Sequence, residues 1–266
     1  MALKLVLCAF AVLVASSVAL IEVLQHVLDH VGEFEAAFPS SDLSQIERNL
    51  TLAIDSVGKG NDAAEHLLYE LKKAEIIPTV LDPFDPKLSL SIFYENATVE
   101  VGNTIDPAKT QKAPNVQLSD VQFIASVPND FSVLIRKGMQ LTLALTDPDA
   151  PRRDNPEWSE ICHWIVTSIL LTKLASEDDS SVFSTKVQTI VEYKPPGPPP
   201  KTGKHRYVFV ALAPKNGTTE KLNLSTPGDR QHWGYEKERQ GLRRWAEENG
   251  LVTVGANFIY EQNEKQ

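Results

Sequence analysis

The stretch QLTLALTDPDAP, residues 140–151, alternates apolar and polar residues and then ends in two aspartates on either side of a proline. Alternation with a period of two is typical of a β-strand that has one face on the core. Pro148 fixes its own φ and keeps Asp147 out of the helical region, and Pro151 acts in the same way on the residue before it. The sequence therefore predicts a strand that ends in a rigid corner carrying two carboxylates, those of Asp147 and Asp149.

Six further segments after Pro78 have the same period of two, and turn residues separate them. They are residues 88–94, 116–123, 163–170, 187–193, 206–212 and 251–260. Residues 234–250 instead have helical spacing, with Leu242 and Trp245 on the inner side and Asn249-Gly250 as the stop. Short strands with one late helix predict a mostly β, α+β fold, namely an antiparallel β-sandwich carrying peripheral helices.

The chain before Pro78 has helical spacing. One apolar stripe consists of Ile21, Leu24, Val27, Leu28 and Val31. Ser41 is a candidate N-cap of a second helix, which the glycines near residue 58 interrupt, and a third helix begins at Asp62 and stops at Pro78. We expect a helical N-terminal extension over residues 20–63 and a β-rich domain over residues 64–262.

Residues 1–19 have the pattern of a secretory signal peptide, with Lys4, a short apolar run and small residues before Ala19. The apolar run is too short for a transmembrane helix, so we expect no transmembrane segment. The chain is expected to enter the secretory pathway and to be secreted or vacuolar. Four acceptor sequons agree with this route and predict glycosylation at Asn49, Asn96, Asn216 and Asn223.

Composition narrows the class of partner. The formal net charge of −9 argues against nucleic acid, because proteins approach nucleic acid through basic surfaces. The chain has two cysteines, and removal of the signal peptide takes Cys8 with it. Cys162 then has no partner for an intramolecular disulfide, and its place in an apolar strand predicts a small core residue rather than a nucleophile.

A second unusual stretch, GPPPKTGKHRYVF at residues 197–209, superficially resembles a phosphate-binding P-loop. The match fails because five residues rather than four lie between Gly197 and Gly203, and because Lys204 precedes His205 instead of serine or threonine. The element that follows is a predicted strand, so no helix N-terminus would face a phosphate. The chain also lacks the HExxH, CxxC and GxSxG motifs, so we expect no metal, no cofactor and no serine-hydrolase site.

The residues that remain for chemistry lie at strand ends. Asp147 and Asp149 end one strand, His163 and His205 lie in two others, and Tyr207 is on the same face as His205. If these strand ends converge, histidines flanked by aspartates form a small polar pocket that can hydrogen-bond a phosphate or a carboxylate. A structural aspartate–histidine network inside the sandwich is the alternative, and the residues alone leave both open.

Three segments, TDPDAPRRD, ICHW and GPPPKTGKHRYVFVALAP, resemble the signature segments of the phosphatidylethanolamine-binding protein (PEBP) family. DRQHWGY and RRWAEENGLVTVGANFIYE are similar to its fungal branch of carboxypeptidase Y inhibitor-like proteins. The resemblance covers about residues 64–262. It implies a PEBP-like sandwich with a pocket near one end that binds phosphate, phosphoethanolamine or similar small anions without a metal. The pocket residues carried over by the resemblance are Asp147, Asp149, Pro151, His163, Gly197, Pro198, His205 and Tyr207.

The resemblance leaves three functions open. The first is a secretory-pathway protein that binds a small anion, either a phospho-headgroup or a dicarboxylate. The second is a catalytic accessory in fungal polyketide metabolism that works with biosynthetic enzymes and dimerises maleic-anhydride monomers to maleidrides (nonadrides). There His205 or His163, oriented by Asp147 or Asp149, would remove a proton. The third is an inhibitor of a serine carboxypeptidase, with the N-terminal helices as a docking element.

Overall fold

The computed structural model describes residues 17–30, 48–51, 62–120, 135, 138–170 and 187–265. Chain contacts define two units, one of Met1–His66 with Gln122–Ser132 and one of Leu67–Val121 with Val133–Gln266. The predicted domain limit at residue 64 stays a prediction. Most of the predicted signal peptide, the Ser41 cap and the glycine interruption near residue 58 lie outside the described residues.

In the first unit, the described structure includes helix α1, Ser17–Asp29. Leu24, Val27 and Leu28 pack against Leu50, which belongs to a short helical stretch at residues 48–51. These three residues are spaced three and one apart, so one face of the helix is apolar. The predicted stripe is therefore confirmed at these positions.

Residues 62–73 form helix α2, and the second unit also contains helices α3, Ile76–Thr79, and α4, Gly241–Glu248. The strands are β1 Leu88–Tyr94, β2 Ala97–Val99, β3 Asn103–Thr104, β4 Asn115–Asp120, β5 Gln140–Asp147, β6 Ile161–Leu170, β7 Gln188–Val191, β8 Lys204–Pro214 and β9 Leu251–Gln262. Each of the seven predicted strands overlaps one of these, although residues 121–123 of the strand predicted over residues 116–123 lie outside the described part of the chain.

The strands form two sheets. The smaller has the order β2-β1-β4 and the larger has the order β3-β9-β8-β5-β6-β7. Every pairing is antiparallel except that of β3 with β9. The predicted mostly β fold with peripheral helices is confirmed.

Strand β8 lies at the centre of the larger sheet and is buried on both faces. Tyr207 and Phe209 project into the core shared with the smaller sheet, whereas Val208 and Val210 pack in a second core with α2 and α4 residues such as Leu71 and Trp245. A strand covered on both faces needs apolar side chains at nearly every position. This explains the run YVFVALAP, and it fixes which side chains of β8 can reach the space between the sheets.

The late helix is shorter than predicted. Residues 234–250 were expected to be helical, but α4 covers only Gly241–Glu248. Gly234, Glu236 and Arg239 have φ of 80°, 56° and 55°, and left-handed residues cannot continue a right-handed helix. Leu242 and Trp245 are buried as predicted.

Two further differences arise from short-range structure. Helix α2 ends at residue 73 rather than at Pro78, and Glu75 has φ of 56° before α3 begins. Strands β2 and β3 have three and two residues and were not predicted, because such short segments cannot establish a period of two. None of the helices in the described ranges is long and apolar enough to span a membrane.

Candidate functional site

The site begins at the corner where β5 ends. Asp147 is the last residue of the strand, and its Oδ1 accepts the backbone N–H of Asp149 at 2.7 Å. An aspartate that bonds to the backbone two residues later closes an Asx turn, which Pro148 stiffens by fixing φ. The corner thus holds the Asp147 carboxylate in one orientation.

Asp147 contacts His205, which lies on β8, the strand that pairs with β5. Oδ2 of Asp147 lies 3.0 Å from Nδ1 of His205, and the two residues are only 3% and 1% exposed. A buried carboxylate retains its charge only when it is paired and hydrogen-bonded. The short backbone hydrogen bond to Oδ1 and the imidazole at Oδ2 give both oxygens of Asp147 a partner.

The hydroxyl of Thr202 forms a hydrogen bond with the other ring nitrogen of His205, Nε2. Its oxygen lies 2.7 Å from the carbonyl oxygen of Pro199 and 3.0 Å from Nε2 of His205. A carbonyl oxygen can only accept, so Thr202 donates its single hydrogen to Pro199 and accepts the Nε2 hydrogen of His205. The bond to Asp147 places one further hydrogen between Nδ1 and Oδ2. Both ring nitrogens of His205 are therefore engaged.

His163 approaches the same place from β6. Its Nδ1 lies 2.8 Å from the carbonyl oxygen of Lys194, so Nδ1 is the donor. Burial lowers the pKa of His163 to about 4, against a smaller raising effect of Asp147, so the ring is neutral at physiological pH. Nε2 then carries a lone pair and has no hydrogen-bond partner within the described ranges.

Tyr207 lies between the two histidines. Its ring meets His163 edge-on at 5.3 Å between centroids and stacks on His205 at 6.4 Å. Burial, followed by the charge of Asp147, raises the pKa of Tyr207 well above its ordinary value, so the hydroxyl stays protonated. The backbone N–H of Gly197 donates to this hydroxyl at 3.2 Å. Gly197 is exposed, so the proline-rich loop connects the buried cluster to the surface.

The structure brings together four of the predicted side chains, those of Asp147, His163, His205 and Tyr207, with the Gly197 backbone. Pro198 is buried next to Gly197, and its carbonyl oxygen accepts a hydrogen bond from Asn263. Pro151 is half-buried, four residues beyond the end of β5. Both prolines shape the loops around the cluster, and no hydrogen bond of theirs to the four side chains is found in the described structure.

Asp149 lies elsewhere, because its carboxylate pairs with Arg206. Oδ2 accepts the backbone N–H and the Nε hydrogen of Arg206 at 2.9 and 2.8 Å, and Oδ1 accepts from a terminal guanidinium nitrogen. Arg206 also donates to the carbonyl oxygens of Ala74 and Glu75. Arg206 alternates with His205 and Tyr207 along β8, so this ion pair is on the helix-covered face of the sheet. Asp149 therefore stabilises the corner from the helix-covered face of the sheet, opposite the cluster.

Arg206 and Thr202 contact residues of the site but were not predicted as site residues from the sequence. Strand alternation alone places Arg206 on the face opposite His205 and Tyr207, so that a buried counter-ion for one of the two aspartates could have been expected. Thr202 offers no comparable signal, because its contact with His205 depends on how the proline-rich loop folds back.

The neutral state of His163 has a direct experimental consequence. We expect imidazole nitrogen NMR to show the Nδ1–H tautomer, with protonation only near pH 4, because burial penalises the charged ring. The His163→Leu variant, which loses the signal, assigns it. A midpoint at the ordinary histidine value of about 6.5 would contradict the described burial of this ring.

The other predicted residues lie on the surface or in the core. Asn49, Asn96, Asn216 and Asn223 are all exposed, which is a requirement for glycosylation, and their modification stays a prediction. Cys162 is a fully buried free cysteine, and burial raises the pKa of its thiol to about 12. A thiol with this environment is unreactive, so the prediction of a core residue is confirmed.

Comparisons with known proteins agree with this geometry. The family model for "Phosphatidylethanolamine-binding protein" matches residues 95–259, which include the whole cluster. Carboxypeptidase Y inhibitor of Saccharomyces cerevisiae is 33% identical over 213 residues, covering 76% of this chain and 97% of the relative. The crystal structure of carboxypeptidase Y inhibitor complexed with its cognate proteinase matches with a TM-score of 0.66 and 33% identity, over 76% of this chain and 97% of that chain.

A more distant structure, a phosphatidylethanolamine-binding protein from Plasmodium falciparum, matches with a TM-score of 0.52 and 26% identity, over 73% of this chain and 96% of that chain. The three signature-like segments, TDPDAPRRD, ICHW and GPPPKTGKHRYVFVALAP, and most strands of the sandwich therefore lie within the region that the family model matches. The family model covers more than half of the chain, and the yeast relative is covered almost completely. This chain belongs to the phosphatidylethanolamine-binding protein family.

Proposed function

We propose that this protein binds a small anionic ligand, either a phospho-headgroup or a dicarboxylate, in the pocket formed by Asp147, His163, His205 and Tyr207. The observation that carries the proposal is the convergence of these four buried polar side chains, from three strands, beside the exposed Gly197 backbone. Burial of polar groups is costly, and a core made of apolar residues would avoid that cost. Ligand recognition is a sufficient reason to retain them.

The charges of the pocket suit an anion that carries a proton or gains one. Asp147 and His205 share one hydrogen, and Nε2 of His205 donates to Thr202, so the pair adds no net negative charge. His163 presents a lone pair on Nε2, which can accept a hydrogen from a phosphate monoanion or become protonated when a dianion binds. A bound phosphate would thereby form a charge-assisted hydrogen bond in a water-poor site.

Titration calorimetry at pH 7 tests this proposal with inorganic phosphate, phosphoethanolamine, maleate and sodium chloride. We expect saturable heat from the phosphates, from maleate or from both, and none from chloride, because one small monovalent ion cannot bridge His163 and Tyr207. The two classes of ligand distinguish a phospho-headgroup site from a dicarboxylate site. Absence of heat from all three oxyanions, with a folded sample, would refute anion binding.

A second candidate function is inhibition of a serine carboxypeptidase. It is supported by the 33% identity to carboxypeptidase Y inhibitor over nearly all of that protein's length. Peptide hydrolysis by carboxypeptidase Y, measured with increasing amounts of this protein with and without residues 1–63, tests it. Inhibition by the full chain and not by the shortened chain would assign the docking role to the N-terminal segment, whereas full activity of the protease in both cases would exclude inhibition of this enzyme.

The third candidate, dimerisation of maleic-anhydride monomers to maleidrides, needs a general base next to a bound dicarboxylate. His163 supports it, since Nε2 is unengaged by the described residues, whereas both nitrogens of His205 are already bonded. A lowered pKa makes this histidine a weak base at neutral pH, which is unfavourable for the reaction. Product analysis with the monomer, comparing the natural protein with His163→Ala and His205→Ala, decides whether any dimer depends on the pocket.

The secretory route is also part of the proposal. It rests on the signal-like pattern of residues 1–19 and on four exposed sequon asparagines. Expression in a eukaryotic host, followed by N-terminal sequencing and glycosidase treatment of the exported protein, tests both features. We expect an N-terminus near residue 20 and a fall in apparent mass after deglycosylation.

A further inference from the structure

Strand β9 carries a buried acidic side chain beside the pocket, that of Glu261. In the antiparallel register Glu261 lies directly opposite His205 on β8, so both side chains project to the face between the two sheets. Glu261 is fully buried, and neither of its carboxyl oxygens has a hydrogen-bond partner in the described part of the chain. Buried carboxyl groups without partners are rare in folded proteins, so this one requires an explanation.

Two carboxyl groups near Glu261, those of Asp106 just after β3 and of Asp147 at the end of β5, favour its protonated form. The other titratable groups that face it are Tyr94 on β1, Tyr193 after β7, Tyr207 on β8 and His205, which is hydrogen-bonded to Asp147. Burial raises the pKa of Glu261 to about 8, with the two aspartates adding to this effect. The hydroxyl of Thr110, which itself donates to the Pro107 carbonyl, lowers that pKa in part. At neutral pH the carboxyl therefore has an O–H to donate.

The other hydrogens of the cluster have partners. Both ring nitrogens of His205 are engaged, by Asp147 and by Thr202, and the backbone N–H of Gly197 donates to Tyr207. The hydroxyl hydrogen of Tyr207 has Asp147 as its neighbour, and His163 offers a lone pair rather than a hydrogen. The oxygens of a phosphate or sulfate group are acceptors, so they are stabilised only where hydrogens point at them.

We infer that Glu261 is a ligand-binding residue of this pocket and that it donates its carboxyl hydrogen to an oxygen of the bound tetrahedral anion. The inference rests on the proposed function, since it names a further contact in the same site. It makes binding dependent on pH: when Glu261 loses its proton, the donor is replaced by a carboxylate that repels the ligand. Affinity should therefore fall more steeply with pH above the pKa of Glu261 than below it, where proton uptake by His163 is the remaining pH-dependent step.

Sulfate is the appropriate probe, because it remains a dianion throughout the useful pH range and its own protonation does not contribute. For the natural full chain we expect the fall in affinity to become steeper by about 10-fold per pH unit well above pH 8, as linkage requires for one further essential proton. Glu261→Gln keeps a donor and cannot ionise, so its affinity at pH 7 should stay within about 3-fold and the additional fall above pH 8 should disappear. Glu261→Leu lacks the donor and should bind about 10-fold more weakly at pH 7.

The matched control is Glu264→Gln, which makes the same chemical change at an exposed position three residues later. It should bind sulfate as the natural chain does at every pH. Proton uptake on binding, measured for the natural chain at pH 8.5 in two buffers with different ionisation enthalpies, needs no variant to fold. We expect uptake there, and we expect Glu261→Gln to reduce it.

The outcomes separate the two proposals. If the natural chain binds sulfate or phosphate but the Glu261 variants bind equally well, with an unchanged pH profile and unchanged proton uptake, the role of Glu261 is refuted and the anion pocket stands. If the natural chain binds neither anion between pH 6 and pH 9, the anion pocket and the role of Glu261 both fail.

Discussion

Replacement of Asp149 by alanine is expected to lower the free energy of unfolding by about 3–5 kcal/mol, although its carboxylate does not face the pocket. Both carboxylate oxygens bind Arg206, and the two side chains are 0% and 1% exposed. Without Asp149 the guanidinium remains buried. The carbonyl oxygens of Ala74 and Glu75 then accept hydrogen bonds from only one of its nitrogens, Nη1. The cost is thus that of an uncompensated buried charge. Urea denaturation at neutral pH measures it.

The control for this prediction is Asp154→Ala. Asp154 pairs with Arg152 at 3.0 Å, but both side chains are exposed, and exposed pairs contribute less than about 1 kcal/mol. We therefore expect the control to unfold at nearly the same urea concentration as the natural chain. A loss at Asp149 no larger than that at Asp154 would contradict the described burial of the Arg206 pair.

Replacement of His163 by leucine is expected to weaken phosphate binding by about 10- to 100-fold, the range for one lost hydrogen bond to a charged group. Nε2 of His163 is the polar atom of the cluster that no described residue engages, so it is available to the ligand. Leucine fills much of the same space in an apolar surrounding, so the sandwich should remain folded. Calorimetry with inorganic phosphate at pH 7 measures the change.

A suitable control is His66→Leu, which replaces an exposed histidine of α2 by the same residue. It should leave phosphate affinity unchanged, because the proposed pocket consists of other residues, namely Asp147, His163, His205 and Tyr207. Equal affinity of the His163 variant and the natural chain would show that this ring does not contact the ligand.

The sandwich could be predicted from the sequence because its strands have strong periods and clear turns. Residues 88–94 were predicted and observed with the same limits, and the long central strand extends the predicted residues 206–212 by two residues at each end. The late helix was predicted too long, since nothing in GYEKERQ reveals the left-handed backbone at Glu236 and Arg239. Regular elements can be predicted from the period of their apolar residues, whereas such turns depend on tertiary contacts.

The candidate site was predictable in its residue types and only partly in its geometry. Asp147 and Asp149 look equivalent in the sequence, yet the corner turns one towards His205 and the other towards Arg206 on the opposite face. The orientation of His163 depends on the backbone carbonyl of Lys194, which has no sequence signature. Glu261 becomes visible as a site residue only when the register of β8 and β9 is known.

The most direct test of the anion pocket is imidazole nitrogen NMR of the natural chain at pH 7 during addition of inorganic phosphate. We predict that free His163 has a hydrogen on Nδ1 alone and that phosphate changes the Nε2 signal of His163 towards a hydrogen-bonded or protonated form. The assignment of Nδ1 follows from its contact with the Lys194 carbonyl oxygen. Signals of His163 and His205 that do not change at phosphate concentrations giving saturable heat would contradict the account, because the anion would then bind elsewhere.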